Sequence, residues 1–205
     1  MKKILCILLC LCCLSSFAAQ AATEPSEWAK AEIDSALVAY MEAMQVDMDY
    51  QRNITRKEFC YLALEFYNRI FQGELGQMSI ANPFTDVNDP YVLIAYELGI
   101  IQGVSDTLFA PDAAVTRQEI CVMLVRVIRS ALLQGITEEE IVAYAAQVDS
   151  YSDAASVAEW ARGSVGAAVS LGIMNGMSAT ELGPNSNCTI EQALILIKRA
   201  CEALV

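Results

Sequence analysis

Three stretches of the chain repeat one pattern of apolar and polar positions. Counting from Thr55, Thr116 and Thr189, apolar residues fall at plus 4, 5, 8, 11, 12 and 15. The first stretch supplies Phe59, Cys60, Ala63, Phe66, Tyr67 and Ile70; the second Ile120, Cys121, Leu124, Val127, Ile128 and Ala131; the third Ala193, Leu194, Ile197, Ala200, Cys201 and Leu204. Spacings of three and four place such positions on one face of a helix. A register kept through three copies predicts three equivalent long helices, beginning at about Arg56, Arg117 and Ile190. The predicted architecture is therefore all-α: three helix-loop-helix repeats whose long helices pack around a pseudo-threefold axis, with shorter helices outside.

Helix starts and stops agree with this. Thr55 with Glu58, and Thr116 with Glu119, form capping boxes in which hydroxyl and carboxylate each accept from a backbone N–H otherwise without a partner; Thr189 with Gln192 makes the same pair. Gly99 and Gly103, followed by Asp106 and Pro111, mark a helix end and turns. Gly172, Gly176 and Pro184 keep the same offsets to Thr189. The first copy lacks these residues between Val46 and Asn53 and is shorter there, so its turn must be built differently. A helix is expected from Glu24 to Met44, with Ser26 as cap and Trp28, Ile33, Ala36 and Leu37 facing inward. Another is expected from Ala158 to Leu171, and an extra one from Thr137 to about Val148, capped by Thr137 with acids at its positive end. The division is a leader at 1–21, repeats at 22–72, 80–133 and 150–205, and a connecting helix at 134–149, the repeats forming one compact domain.

Lys2 and Lys3, the apolar run Ile4 to Leu14 and the small residues of Ala19-Gln20-Ala21 read as a secretory signal peptide, too short for a durable membrane span. The protein is expected to be exported. Cys6, Cys10, Cys12 and Cys13 lie in this leader, which raises lipid attachment, although the small residues that normally precede a lipidated cysteine are missing. Without Lys2 and Lys3, 11 basic residues face 25 acidic ones, a net charge of 11 minus 25, or −14. Such a surface resists nucleic acid and other polyanions, so an anionic ligand needs a local cationic cluster. Export would permit disulfides, but Cys60, Cys121 and Cys201 occupy the apolar stripe and Cys188 takes the place of Ile54 and Val115, which favours buried thiols. The chain has no histidine and no Cys-x-x-Cys pair, so neither a metal site nor a cofactor is expected.

Catalysis finds little support. Histidine, the usual general base, is absent, and Asp86 with Asp89, or Asp149 with Asp153, reads better as turn and capping residues than as an acid pair. Arg56 and Arg117 are less easily explained, because the positive end of a helix does not favour a cation at its first position. Beside backbone N–H groups left free by the helix, such a cation would make an anion site; a solvated arginine is the competing reading.

Phe84-x-Asp86-Val87, Gly99-Ile100-x-x-Gly103, Phe109-x-Pro111 and Val115-Thr116-Arg117-x-Glu119, in this order and spacing, resemble the S-layer homology (SLH) domain family, whose modules usually come in threes. The resemblance implies an exported module on a bacterial cell surface. It holds a secondary cell-wall polysaccharide, often bearing a pyruvate ketal, in grooves between repeats. Matching the family's motifs residue by residue implies glycan contacts from Arg56, Arg117, Asp86, Asp153, Trp28, Trp160, Gly103 and Gly176. For the two tryptophans, core packing is the competing reading. The third copy has Ile190 in place of the arginine, the second has Tyr91 in place of the tryptophan, and the first lacks the Phe-x-Asp and Gly-Ile motifs, so at most two grooves are equipped. An envelope scaffold that binds another protein through the same fold is the alternative.

Overall fold

A computed structural model describes residues 23–71, 81–131 and 136–204; the expected leader and much of the linker after the first repeat lie outside these. Among the described residues there are seven α-helices: α1 (Ser35–Ala43), α2 (Arg56–Phe71), α3 (Pro90–Glu97), α4 (Arg117–Ala131), α5 (Glu138–Tyr144), α6 (Glu159–Ser170) and α7 (Ile190–Glu202). The fold is all-α. The long helices α2, α4 and α7 start within one residue of the positions that the shared register predicts.

Their apolar stripes meet at one centre. Phe59, Cys60, Ala63 and Phe66 of α2, Ile120, Cys121, Leu124, Val127 and Ile128 of α4, and Ala193, Leu194, Ile197 and Ala200 of α7 are all fully buried in one cluster. Tyr67, Ile70, Cys201 and Leu204, near the far ends of α2 and α7, are only partly covered. Burial extends beyond the predicted face to Leu62, Leu64, Val122, Val125 and Leu196. On α2 and α4 the shorter helices add cover: α3 lies on α2, and α6 lies on α4.

A closed ring of backbone hydrogen bonds crosses the axis at the base of the long helices. Ile54 N–H donates to Cys188 O at 2.9 Å, Cys188 N–H to Val115 O at 2.9 Å, and Val115 N–H to Ile54 O at 3.2 Å. Each repeat thus gives one bond and takes one. The ring extends outward, because the first N–H groups of each long helix also reach the loop of the next repeat. Arg56 and Lys57 donate to Ala113 O and Pro111 O, Arg117 and Gln118 to Ser186 O and Pro184 O, and Ile190 and Glu191 to Arg52 O and Tyr50 O. Donors that a helix leaves without partners are satisfied by tertiary structure, so the free N–H groups expected beside Arg56 and Arg117 are not free.

Three local expectations change. The first repeat does not begin with one helix from Glu24; turns occupy residues 27–32, and α1 starts at Ser35 with Asp34 as its cap, Oδ1 accepting from Ala36 N–H at 2.8 Å. Ser26 instead donates through N and Oγ to Glu191 at 2.9 and 2.8 Å, which docks this repeat onto the start of α7. Trp28 and Ala36 are exposed rather than inward. The connecting helix is α5, capped by Thr137 as expected, but it tightens into a 3-10 turn over Ala145–Ser150. Where the first copy lacks glycine, Gln45 itself takes φ +59°, the role of Gly99 at +71° and Gly172 at +68°.

Candidate functional site

Two grooves open between repeats, each assembled from all three. In the first, Arg56 comes from the start of α2, Gln102, Gly103, Val104, Glu119 and Arg126 from the second repeat, and Trp160 from α6; they enclose about 440 Å³. In the second, Arg117 comes from the start of α4, Asn175, Gly176, Met177, Gln192 and Arg199 from the third repeat, and Trp28 from the first; they enclose about 450 Å³. The lining residues correspond one to one under the rotation that relates the repeats.

The arginine sits at the floor. Arg56 is 8% exposed and Arg117 5%. Arg56 donates through Nε to Phe109 O at 3.0 Å and through Nη2 to Gln102 O at 3.0 Å, and its Nη1 lies 3.3 Å from Glu119 Oε1. Its guanidinium also lies 5.0 Å from the centre of the Phe109 ring. Arg117 repeats the pattern, with Nε to Leu182 O at 2.9 Å and Nη2 to Asn175 O at 2.6 Å. A planar five-donor fork suits this role, since it can hold a loop on two edges and leave a third for a partner.

The tryptophans stand at the rim. Trp28 is 55% exposed and Trp160 62%, so neither serves the core, and each presents an indole beside a cavity. Gly103 and Gly176 lie in the walls and are demanded by the turn. A side chain at Gly103 would come within 2.7 Å of Leu108 O and 2.8 Å of the Phe84 ring, and one at Gly176 within 2.6 Å of Glu181 O.

Asp86 and Asp153 do not line either cavity. Asp86 accepts from Phe109 and Ala110 N–H at 2.9 and 2.7 Å, and Asp153 from Leu182 and Gly183 N–H at 2.9 and 2.8 Å. These bonds hold the peptides whose carbonyls receive Arg56 Nε and Arg117 Nε. The N–H groups of Phe109 and Ala110 keep the Asp86 carboxyl below its ordinary range. Thr55 with Glu58 and Thr189 with Gln192 bond reciprocally, whereas Thr116 with Glu119 does not form the expected reciprocal pair, because the Thr116 hydroxyl donates to the carboxylate. Glu119 divides its carboxylate, Oε2 accepting from Thr116 N–H at 2.8 Å and Thr116 Oγ1 at 2.7 Å while Oε1 faces Arg56.

Four residues of these interfaces went unnoticed in the sequence. Arg126 and Arg199 lie ten positions after Thr116 and Thr189, an offset that a search of the polar positions in the same register would have found. Gln118 and Glu191 lie two positions after the threonines, and each braces the start of the following repeat's first helical segment, Gln118 Oε1 accepting from Ala158 N–H at 3.0 Å and Glu191 from Ser26. As for reactive groups, burial pushes the Cys60, Cys121 and Cys188 thiols up to about 12, and none is paired in a disulfide. Among the described residues no cluster of histidine, cysteine and carboxylates could hold a metal, and no helix is long and apolar enough to cross a membrane.

A ring of capped helix pairs with ligand-sized clefts between its members defines a repeat binding module. Residues 83–121 and 150–194 of the chain match the S-layer homology domain. Its relatives include an amylopullulanase of Thermoanaerobacterium thermosulfurigenes, 28% identical over 83% of this chain and 9% of that protein. The exoglucanase XynX of Acetivibrio thermocellus is 26% identical over 83% of this chain and 15% of that protein. A cell surface protein of Thermoanaerobacter kivui is 29% identical over 64% and 17%. The chain therefore spans less than a fifth of each of these relatives, and the similarity to the two enzymes concerns a small part of each.

Proposed function

We propose that this is an exported, noncatalytic module that attaches to an anionic secondary cell-wall polysaccharide, pyruvylated in many members of the family, through its two inter-repeat grooves. The observation that carries the reading is the pairing, twice, of an exposed indole with a buried arginine across a cavity of sugar size. A sugar ring stacks its C–H face on an indole, and an acidic substituent is received by a guanidinium fork in a partly desolvated cleft, where the interaction is stronger than in water. Arg56, Arg117, Trp28, Trp160, Gly103 and Gly176 would face the ligand, while Asp86 and Asp153 set the loops. The relatives include a protein named for the cell surface and enzymes with names of polysaccharide hydrolases, which agrees with a wall-attached setting.

Sedimentation with purified cell-wall sacculi is the direct test. The full chain should pellet with the wall, and a Trp28→Ala, Trp160→Ala variant, which alters only exposed side chains, should remain in the supernatant with an unchanged melting curve. Equal pelleting of both proteins would overturn the reading. A protein-binding scaffold is disfavoured for these two grooves by the convergence of cationic and aromatic groups in each.

A further inference from the structure

The two grooves are similar in volume and lined by corresponding residues, yet the free positive charge stands in a different place in each. In the first, all three edges of the Arg56 guanidinium are engaged, one of them by the Glu119 carboxylate. Arg126, which reaches the same groove from α4, has no carboxylate and no hydrogen-bond acceptor among the described residues. Burial and the neighbouring Arg129 pull Arg126 below the usual guanidinium value, as expected for a cation in want of a counter-charge, while Arg129 has Glu138 at 2.8 Å. In the second groove the arrangement is reversed. Gln192 stands where Glu119 stood, so Arg117 meets two carbonyls and no carboxylate. Arg199, the counterpart of Arg126, is held in a fork by Glu32 at 2.7 Å on both arms.

We propose that the two grooves receive the acidic group of the glycan on different arginines, Arg126 in the first and Arg117 in the second. This rests on the glycan reading above and refines it. An incoming carboxylate beside Arg56 would also meet Glu119, and a like charge at that distance opposes it; beside Arg126 there is no such opponent. In the second groove the opposition lies at Arg199, where Glu32 stands, and Arg117 is the open partner. The acidic sugar would consequently lie at a different place in each groove, so the two sites would not hold the polymer in the same register.

The chain contains two tryptophans, one in each groove, so fluorescence can read the sites separately. In a Trp28→Phe background Trp160 reports the first groove; in a Trp160→Phe background Trp28 reports the second. The probes are a hexoside carrying a 4,6-pyruvate ketal and the matching isopropylidene ketal, which lacks the carboxylate. Arg126→Gln should weaken the acidic probe at Trp160 by about ten-fold or more, with less than about two-fold effect on the neutral probe or at Trp28. Glu119→Gln, which keeps a cap of the kind Gln192 makes, should strengthen the acidic probe at Trp160, and Gln192→Glu should weaken it at Trp28. Equal loss of both probes in Arg126→Gln, or an unchanged acidic titration at Trp160, would overturn this assignment while leaving the glycan reading standing. If neither tryptophan responds to either probe or to purified wall polysaccharide, both fail together.

Discussion

Two of the three inter-repeat interfaces hold a cavity between a buried arginine and an exposed indole, and at the third these positions are filled by other residues. At the third, Ile190 takes the arginine position and is fully buried. Tyr91 takes the tryptophan position, but its ring meets Tyr61 edge-on at 5.6 Å and 75°, while the Tyr61 hydroxyl donates to Asp89 at 2.7 Å. Arg52, from the shortened loop, forks onto Glu58 at 2.9 and 2.7 Å. The backbone ring nevertheless treats all three interfaces alike. The contrast teaches that the fold needs the capped helix, the buried stripe and the shared backbone bonds, whereas the arginine and the exposed indole are additions that the frame tolerates losing.

Breaking the frame should have the largest effect. A fragment ending at Ser130 lacks α7 and with it Cys188, the partner of both Ile54 and Val115, and it should show no cooperative melt; a monomeric two-state transition would contradict the ring. Next in size, Leu124→Ala, at the fully buried centre, should cost about 2 to 5 kcal/mol, measured by denaturant titration, because it opens a cavity that all three interfaces share. Ile190→Arg asks whether one residue can convert the filled interface into an open groove. Its loop lacks the Gly-Ile-x-x-Gly turn whose carbonyls receive Arg56 and Arg117, so a charge placed there should destabilise by about 3 kcal/mol and create no new binding.

The acidic side of the stability curve sharpens the comparison. Glu32 is held below its ordinary value by Arg199, in an open groove. Glu58, in the filled one, is pushed up by burial but brought below its ordinary value by the Arg52 fork and the Thr55 N–H. For both, the folded chain gives up its proton at lower pH than the unfolded chain. Their contribution is complete above the ordinary carboxylate range, about pH 4 to 5, and is lost as pH falls through the lowered folded values. Melting temperature should therefore drop on acidification below about pH 4, and less steeply in Glu58→Gln than in wild type. The smallest effect is expected at Gln45, exposed and at positive φ. Gln45→Gly should raise stability by about 0.5 to 1 kcal/mol, the relief of left-handed backbone less the entropy that glycine adds to the unfolded chain.

The central helices were legible because burial around an axis imposes a period, and Phe59, Leu124 and Ile197 keep it. Caps were legible because Thr189 with Gln192 is a local arrangement. The position of Trp160 was not, since an indole serves a core and a sugar platform equally well and only the packing of α6 decides. Asp86 shows the same limit from the other side: its motif marks it, but whether its oxygens face a ligand or two backbone N–H groups depends on a loop more than twenty residues away. Arg56 was read as a cation beside unpaired amides, and the neighbouring repeat had already taken those amides. Nothing local to the first repeat could reveal that.

The ring of bonds joining Ile54, Cys188 and Val115 has one further consequence. An open stack of repeats can be lengthened by adding another unit at either end, but a circle completed by its third member has no vacant donor or acceptor at its hub. A fourth copy in a longer polypeptide would have to begin a new circle, so working copies of this unit should be gained or lost as trios.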